Sequence, residues 1–245
     1  MDKNQLKIAA EWISKSKYLV AFTGAGISVE SGIPAFRGED GIWNKYDPEI
    51  LEIDNYLRNP EETWPLIYKL FYQYFKGAKP NAAHNMLATL EKKGILKSVI
   101  TQNIDNLHQE AGCSNIIEYH GNSNRMVCTV CGDLTEVGEE GFSSDIPRCK
   151  KENGLLKPDF VFFGEPIPQK AAEDSIIEIG KADVLLLIGT TGEVMPASMV
   201  PRMAKNNGAK IIEFNTERTV YTHEITDIFL KGKAGDIAEE LVKWL

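Results

Sequence analysis

Long hydrophobic runs are missing from this sequence, since no stretch approaches the roughly 18 apolar residues that a membrane-spanning helix needs. The opening residues, MDKNQLKIAAEW, are polar and amphipathic and contain no signal-peptide core, so we expect a cytoplasmic protein without a membrane partner. Cysteine is scarce, with 4 among 245 residues, and disulfides are not expected inside the cell. No internal repeat or low-complexity segment interrupts the composition of an ordinary globular protein.

Positive charge is also in deficit, because 27 lysines and arginines face 35 acidic residues and leave a formal net charge of −8. This balance argues against direct nucleic-acid binding, which depends on clustered positive charge. An acidic surface suits a basic partner such as a lysine-rich peptide, although the same charge also serves solubility alone. The length fits one large domain, or a large domain with a small insertion.

Apolar segments typical of buried strands alternate with segments of helical spacing along most of the chain. Strands are predicted at 18–23, 97–101, 115–119, 182–189 and 209–215, and helices at 3–16, 64–75, 81–93, 168–180, 196–207 and 236–245. Uninterrupted apolar strands between helices predict an α/β fold, with a parallel sheet covered by helices on both faces. Residues 123–155, rich in cysteine and charge, are predicted to form a small insertion.

The glycine-rich stretch after the first strand, residues 23–38, is the most informative motif. Gly24 and Gly26 allow a tight turn, and small residues with free N–H groups make a cradle for phosphate. The usual dinucleotide fingerprint needs a third glycine where this chain has Val29, and an acidic residue about 20 positions later. The chain instead continues with a loop carrying Phe36 and Arg37, which suits a lid over a ligand. A hydride-transferring dehydrogenase is therefore disfavoured.

Small or polar residues stand at the ends of five predicted strands. They occupy positions 23–26, 102–105, 120, 189–191 and 215–217. Because ligands bind at the carboxyl ends of strands in open α/β sheets, these positions predict one shared crevice. A turn-forming role explains any single site equally well, but it does not explain all five together.

His120 is the leading catalytic candidate, because it ends an apolar strand and is followed by Gly121. An imidazole can act as a general base near neutral pH. Asn103 and Asp105 lie two residues apart and share one face of an extended chain, and backbone capping is the alternative role for Asp105. The other histidines are predicted to pack or hydrogen-bond (His84 and His108) or to lie on the surface (His223).

Three motifs, in order along the chain, resemble the signatures of one known family. GAGISVESGIPAFRG at 24–38 resembles the first signature, QNID at 102–105 the second and YHG at 119–121 the third. By these motifs the chain is identified as a member of the sirtuins, the NAD-dependent protein lysine deacylases, of the prokaryotic type. The resemblance extends from Ala21 to Gly235.

The resemblance implies a Rossmann-like NAD-binding domain at 1–122 and 156–245, with a helical part at 40–80 and a zinc-ribbon-like insertion at 123–155. It implies that lysine's acyl group passes to ADP-ribose, releasing nicotinamide and O-acyl-ADP-ribose and consuming NAD. The implied catalytic residues are His120, Asn103 and Asp105. The implied NAD-binding residues are Gly24, Ala25, Gly26, Ser28, Ile33, Phe36, Arg37, Gln102, Asn103, Ile104, Asp105, Gly189, Thr190, Thr191, Asn215, Thr216, Glu217 and Ala234.

The resemblance further implies a monomer whose acyl-lysine peptide pairs as a strand between two segments of the chain. Their residues are Val161, Phe163, Gly164, Glu193 and Val194. Succinyl-preferring relatives carry a tyrosine and an arginine in the helix that matches 64–76, where this chain has no arginine. Burying a dicarboxylate without a cation is costly, so acetyl or longer apolar groups are predicted. GTTG at 189–192 and EFNTE at 213–217 nevertheless resemble the succinyl-preferring branch.

Cys128, Cys131 and Cys149 supply three of the four positions in a C-x2-C…C-x2-C zinc pattern. Glu152 stands where the fourth cysteine belongs, and a carboxylate can also ligate zinc. Two alternatives stay open: a structural zinc held by these four residues, or a site that binds metal weakly or not at all.

Two other functions of the protein also stay open. One is protein ADP-ribosyl transfer at the NAD site, and the other is a catalytically weak module that binds NAD or acyl-lysine.

Overall fold

The computed structural model describes residues 2–38, 41–137 and 145–245. Within them the strands are β1 (Leu19–Thr23), β2 (Leu96–Thr101), β3 (Ile116–Glu118), β4 (Gly121–Cys128), β5 (Leu134–Glu136), β6 (Leu156–Phe160), β7 (Val184–Ile188), β8 (Lys210–Asn215) and β9 (Ile228–Lys231). The α-helices are α1 (Lys3–Lys15), α2 (Ile53–Arg58), α3 (Pro60–Ile67), α4 (Ala82–Lys92), α5 (Leu107–Ala111), α6 (Gln169–Lys181), α7 (Met199–Asn206), α8 (Val220–Glu224) and α9 (Ala234–Val242). Short 3-10 helices span Ala25–Ser31, Ile42–Asn44 and Pro48–Leu51, and a π-helical turn, Tyr68–Gln73, follows α3. None of the helices in these ranges is long and apolar enough to cross a membrane.

Six strands form one parallel sheet in the order β3-β2-β1-β7-β8-β9. The registers align the strand ends, because Thr23 of β1 lies opposite both Thr101 of β2 and Ile188 of β7. Strand β7 is buried along its whole length, as expected for an uninterrupted apolar strand covered on both faces. The carboxyl ends of the central strands therefore meet along one edge, where the glycine-rich turn begins.

Helices cover both faces of this sheet, and each face has its own apolar core. On one face α1, α4 and α9 contribute buried side chains such as Leu6, Leu87 and Ile237. On the other face α6 and α7 contribute Ile179 and Val200. We call β1–β3, β7–β9 and these helices the sheet lobe. The predicted parallel sheet with helices on both faces is confirmed.

Strands β5, β4 and β6 form a separate three-stranded antiparallel sheet. This small sheet shares an apolar core with the largely helical residues 42–75, in which Trp64, Phe71, Met126 and Phe160 are all buried. We call residues 41–75 together with β4–β6 the second lobe. Strand β6 pairs with β4 although it lies beyond position 155, where the predicted insertion ends. That pairing joins distant segments and leaves no local signal in the sequence.

Several element boundaries differ from the predictions. Helix α6 begins at Gln169, with Pro168 preceding it as its cap, and α7 begins at Met199 after a series of turns. Helix α9 begins at Ala234, two positions earlier than predicted, and the Gly235 N–H donates to the Glu30 carboxylate at 2.6 Å. Strand β9 is not predicted, because its four residues are too short a run to stand out.

Candidate active site at the strand ends

The turn after β1 packs backbone against backbone on the turn after β7. The Gly24 N–H donates to the Ile188 carbonyl at 3.0 Å, and the Gly26 N–H donates to the Gly189 carbonyl at 2.9 Å. A Cβ added to Gly26 would lie 2.6 Å from the Gly189 Cα, which is closer than side chains tolerate. Both glycines are therefore required by this contact between turns, in addition to any ligand that approaches them.

Ser28, Asn103 and Asp105 form a hydrogen-bonded group beside this turn. The Ser28 hydroxyl donates to Asp105 Oδ2 at 2.6 Å, and the Asn103 amide donates to Ser28 Oγ at 3.2 Å. The same amide donates to the Gly24 carbonyl at 3.3 Å. Because Ser28 and Asp105 are buried, these bonds hold their geometry against competition from water. The structure thus brings together residues from two segments that are far apart in the sequence.

Asp105 uses its two carboxylate oxygens differently. Oδ1 accepts the Leu107 N–H at 3.0 Å, so this oxygen bonds to the backbone at the start of α5. Oδ2 accepts the Ser28 hydroxyl and faces the group described above. Burial raises the pKa of Asp105, whereas the hydrogen bonds from Ser28 and Leu107 act in the opposite direction. Positive charge arriving nearby would stabilise its ionised form.

His120 lies half-buried at the end of the strand pair β2–β3. Its Nδ1 is 3.2 Å from the Gln102 carbonyl oxygen, an acceptor, so we assign the ring proton to Nδ1. Nε2 is then left with a free lone pair. Burial lowers the pKa of His120, and the hydrogen bond to Gln102 only partly opposes this shift. The ring is therefore neutral near pH 7 and able to accept a proton.

Side chains from three strand ends are joined across the crevice. Gln102 Nε2 donates to Thr190 Oγ1 at 3.1 Å, and Asn215 Nδ2 donates to the Thr190 carbonyl at 3.0 Å. The predicted convergence of β2, β7 and β8 is observed here. The other predicted residues of these ends, Thr191, Thr216 and Glu217, are exposed. Ile33, Ile104 and Ala234 are buried, and Ala25 is half-buried.

The loop that follows the glycine turn lies against the second lobe. The Phe36 ring stacks on Trp43 with centroids 5.4 Å apart, and it lies 6.1 Å from the Phe71 ring. Arg37 Nε is 3.2 Å from Glu193 Oε2, which ties the loop to the segment after β7. Since both partners are about half exposed, this ion pair contributes at most about 1 kcal/mol. Trp43 is not among the predicted site residues, and its aromatic character is its only signal in the sequence.

The predicted peptide-binding segment, residues 161–164, runs between the two lobes. The Val161 N–H donates to the His120 carbonyl at 2.8 Å, and the Phe163 N–H donates to the Leu51 carbonyl at 2.8 Å. The side chains alternate, because Phe162 is 1% exposed whereas Phe163 is 43% exposed. Phe163 lies 6.3 Å from Trp43, on the same side as the loop that carries Phe36.

His84 and His108 form a buried pair beneath the strand ends, with ring centroids 4.9 Å apart. His108 Nε2 lies 2.9 Å from Thr23 Oγ1, and His84 Nδ1 accepts the Asn81 N–H at 3.3 Å. Burial lowers the pKa of His84 to about 4 and that of His108 to about 3. Both rings are neutral at physiological pH and act as packing and hydrogen-bonding groups, as predicted. His223 is exposed, also as predicted.

The thiols of Cys128, Cys131 and Cys149 converge in the second lobe, with all three sulfur atoms within 4.8 Å of one another. Cys131 Sγ and Cys149 Sγ are 3.9 Å apart. Zn–S bonds of 2.3 Å place tetrahedral sulfurs about 3.8 Å apart, so three thiolates fit three corners of a zinc site. Glu152 lies in an exposed turn, outside this group of ligand atoms. Cys113 is buried in the sheet lobe, where burial raises the pKa of its thiol to about 12.

The comparison with protein families agrees with this architecture. The model of the Sir2 family matches residues 24–196, a range that contains the glycine turn, the Ser28–Asn103–Asp105 group, His120 and the three cysteines. The chain therefore belongs to the Sir2 family, and the resemblance found in its sequence is confirmed.

Individual relatives match over nearly the whole chain. A protein of Pyrococcus furiosus, named NAD-dependent protein deacylase, is 47% identical over 237 residues, which are 94% of this chain and 94% of its own length. A solved structure of a Sir2 homolog–NAD complex is 42% identical with a TM-score of 0.89, covering 99% of this chain and 93% of the other. A Sir2 structure with a deacetylated p53 peptide and 3′-O-acetyl ADP-ribose is 35% identical with a TM-score of 0.90, covering 97% of each.

Proposed function

We propose that this chain is an NAD-dependent protein lysine deacylase. The observation that carries the proposal is His120, which presents an unshared ring nitrogen at the strand ends, next to the Ser28–Asn103–Asp105 group. Relatives between 41% and 47% identical, named as NAD-dependent deacylases or deacetylases, support the same activity. The overall reaction takes acyl-lysine, NAD and water to lysine, nicotinamide and O-acyl-ADP-ribose.

The chemistry of the strand ends fits NAD. The short helix Ala25–Ser31 begins directly after β1, so its amino end, which attracts phosphate, lies at the strand ends. The amides of Gln102, Asn103 and Asn215 offer donors and acceptors for ribose hydroxyls. The residues assigned to NAD are Gly24, Ala25, Gly26, Ser28, Ile33, Phe36, Arg37, Gln102, Asn103, Ile104, Asp105, Gly189, Thr190, Thr191, Asn215, Thr216, Glu217 and Ala234. When bound, NAD supplies the ribose carbon that takes up the acyl oxygen as nicotinamide leaves.

His120 is assigned the role of general base. Its Nδ1–H is held by the Gln102 carbonyl, which orients the ring and leaves Nε2 to accept a proton from a ribose hydroxyl. Because burial lowers the pKa of His120, the neutral base persists below the pH at which a free histidine becomes protonated. Asn103 and Asp105 are assigned to the nicotinamide end, where their hydrogen bonds to Ser28 fix them before a ligand arrives.

We assign to the loop that carries Phe36 and Arg37 the role of keeping water away from the reacting ribose. Phe36 is anchored on Trp43 and Phe71, and Arg37 is anchored on Glu193. A loop held at both points can cover a reacting ribose with an aromatic ring, which favours transfer of the acyl group over hydrolysis of NAD.

The peptide is assigned to the space between residues 161–164 and 193–194. Pairing of a substrate strand with backbone groups there gives affinity with little dependence on peptide sequence. Val161, Phe163, Gly164, Glu193 and Val194 are the residues assigned to this contact. The net charge of −8 favours lysine-rich segments as substrates. We also propose that the protein acts as a cytoplasmic monomer, which sedimentation at assay concentration tests.

The acyl group is proposed to be acetyl or a longer apolar chain. Phe36, Trp43, Phe71 and Phe163 form a chain of ring contacts beside the peptide segment. Arg37, the cation next to Phe36, already faces the Glu193 carboxylate. A dicarboxylic acyl tail would therefore lose its hydration among aromatic rings without gaining a free cation.

Zinc is proposed to be held by Cys128, Cys131 and Cys149, with Glu152 or another donor completing the tetrahedron. Bound there, zinc would link β4 to the loop that precedes β6. Its contribution is structural, because the three thiols lie in the second lobe and not at the strand ends.

The test incubates the protein with NAD and an acetyl-lysine peptide and follows peptide mass and nicotinamide release. NAD-dependent loss of the acetyl mass, with nicotinamide released in step, is the expected result. Label from NAD on protein, without deacetylation, would instead establish ADP-ribosyl transfer. Binding of NAD or peptide without any turnover would establish a binding module and contradict the proposal.

A further inference from the structure

One charged side chain of the second lobe is buried without belonging to the reaction. Lys157, on β6, is 7% exposed and is the only buried lysine or arginine in the part of the chain that the structure describes. Burial of an ammonium group is unfavourable unless every donor finds an acceptor. A lysine kept at such a position therefore calls for a structural explanation.

All three donors of Lys157 have acceptors within the eight residues that follow it. Nζ lies 2.8 Å from the Pro158 carbonyl, 2.7 Å from the Phe160 carbonyl and 2.9 Å from Glu165 Oε2. The same Nζ stands 4.4 Å from the centre of the Phe162 ring. One ammonium group thus ties the end of β6 to the residue that follows the peptide-binding segment.

Glu165 completes this tie from the other side. Its Oε2 accepts the Phe162 N–H at 2.8 Å, while its own N–H donates to the Phe162 carbonyl at 3.0 Å. Both backbone polar groups of Phe162 therefore turn toward Glu165. The Phe162 ring packs inward, 5.3 Å from Tyr56, and this orientation leaves Val161 and Phe163 for the opposite side.

We propose that Lys157 is a positioning residue for the acyl-peptide, acting through Glu165 to hold the turn at residues 162–165 and, with it, the placement of Val161 and Phe163 on the proposed peptide surface. This inference rests on the proposed deacylase function. Lys157 itself touches neither NAD nor peptide. Loss of the ammonium would free Glu165 to turn toward solvent, and the Phe162 N–H would lose its acceptor. Residues 161–164 would then lose conformational entropy when a peptide binds, which weakens the binding.

The test variant is Lys157→Met, which keeps the length of the side chain and removes its charge. Because misplacement of a binding element by about 1 Å can cost up to a hundredfold, we expect the KM for an acetyl-lysine peptide to rise at least about tenfold. The KM for NAD, measured at saturating peptide, should change less than about twofold, since most of the residues assigned to NAD lie at the strand ends of the sheet lobe. Lys157→Arg restores a cation and should recover most of the peptide KM.

Lys205→Met is the matched control. Lys205 also pairs with a carboxylate that holds a backbone N–H, since Asp227 lies 2.6 Å from its Nζ and accepts the Ile211 N–H at 2.8 Å. This pair lies at the amino end of β8, opposite the strand ends that form the site. Its removal should lower the melting temperature and leave both KM values within about twofold of the parent protein.

Equal rises of both KM values in Lys157→Met, or an unchanged peptide KM, would overturn the inference. If Lys157→Met does not fold, Glu165→Gln decides, because its amide oxygen keeps an acceptor for the Phe162 N–H while the ion pair is lost. We expect a selective rise in peptide KM of about threefold, and an unchanged value would overturn the inference. Absence of NAD-dependent deacylation in the parent protein would defeat the proposed function, and this inference with it.

Discussion

The two lobes of this protein are held together by different means. In the sheet lobe, β7 is buried along its whole length and two apolar cores cover the faces of the sheet. The second lobe is assembled from short helices and a three-stranded antiparallel sheet, with an aromatic core, three converging thiols and the buried Lys157–Glu165 pair. Hydrocarbon burial thus fixes the crevice, whereas the surface proposed for the peptide depends on a few polar contacts.

We therefore expect the two lobes to serve different steps. The sheet lobe holds the groups assigned to catalysis, and the second lobe shapes the surface proposed for the peptide. The groups assigned to catalysis stand at the ends of well-buried strands, so their replacement should change the reaction and leave the fold intact. The groups of the second lobe should instead alter stability and peptide binding.

Replacing the proposed base of the sheet lobe should have the largest effect. His120→Ala should lower kcat/KM by about 10²- to 10⁴-fold, the usual contribution of a general base. The melting temperature should stay within about 2 °C of the parent protein, because the half-buried ring makes a single side-chain hydrogen bond to the residues that the structure describes. Steady-state assays and thermal melts check both values. Near-full activity in this variant would contradict the assigned mechanism.

Acid should weaken the sheet lobe through its buried histidines. The folded chain keeps His84 neutral down to about pH 4 and His108 down to about pH 3, whereas the unfolded chain binds both protons below the usual pKa of 6.5. Stability from this pair is complete above pH 6.5 and is lost as the pH falls, by about 2 kcal/mol per histidine at pH 5.

Denaturant titrations at pH 7 and pH 5 measure this loss. In His108→Gln the fall in unfolding free energy between the two pH values should be smaller than in the parent by about 2 kcal/mol. A parallel pH dependence in the two proteins would show that His108 does not carry the effect.

The aromatic surface between the lobes should select the acyl group. A peptide carrying acetyl-lysine should be deacylated with a kcat/KM at least about 30-fold above that of the succinyl peptide, which corresponds to about 2 kcal/mol for burying an unpaired carboxylate. Competition between the two peptides in one reaction, read by mass, measures the ratio directly. Comparable rates would contradict the argument from the missing arginine.

Removal of the metal should destabilise the second lobe and should have the smallest effect on the deacylation rate. We expect about one zinc per chain, and we expect Cys149→Ser to lower both the zinc content and the melting temperature, the latter by at least about 4 °C. Activity of the folded variant should fall by less than about tenfold, since the thiols lie away from His120. Cys113→Ser is the matched control and should keep its zinc. A zinc content unchanged by Cys149→Ser would contradict the site.

The contrast between the lobes also explains which parts of the fold and the site could be predicted from the sequence and which could not. Runs such as 184–188, apolar throughout, predict buried strands because burial on both faces is a local property of composition. The polar residues at their ends predict the crevice, and the links among Gln102, Thr190 and Asn215 confirm that convergence. The pairing of β6 with β4 and the tie from Lys157 to Glu165 depend on partners chosen by three-dimensional packing. Nothing in the local pattern at 157 distinguishes this lysine from an exposed one.

In the proposed reaction the acyl group leaves lysine for ADP-ribose and not for water. The most direct test is quantitative mass spectrometry of a single reaction containing the protein, NAD and an acetyl-lysine peptide. We expect nicotinamide, O-acetyl-ADP-ribose and deacetylated peptide in equal amounts. Free acetate formed in place of O-acetyl-ADP-ribose, or nicotinamide formed without deacetylated peptide, would contradict it.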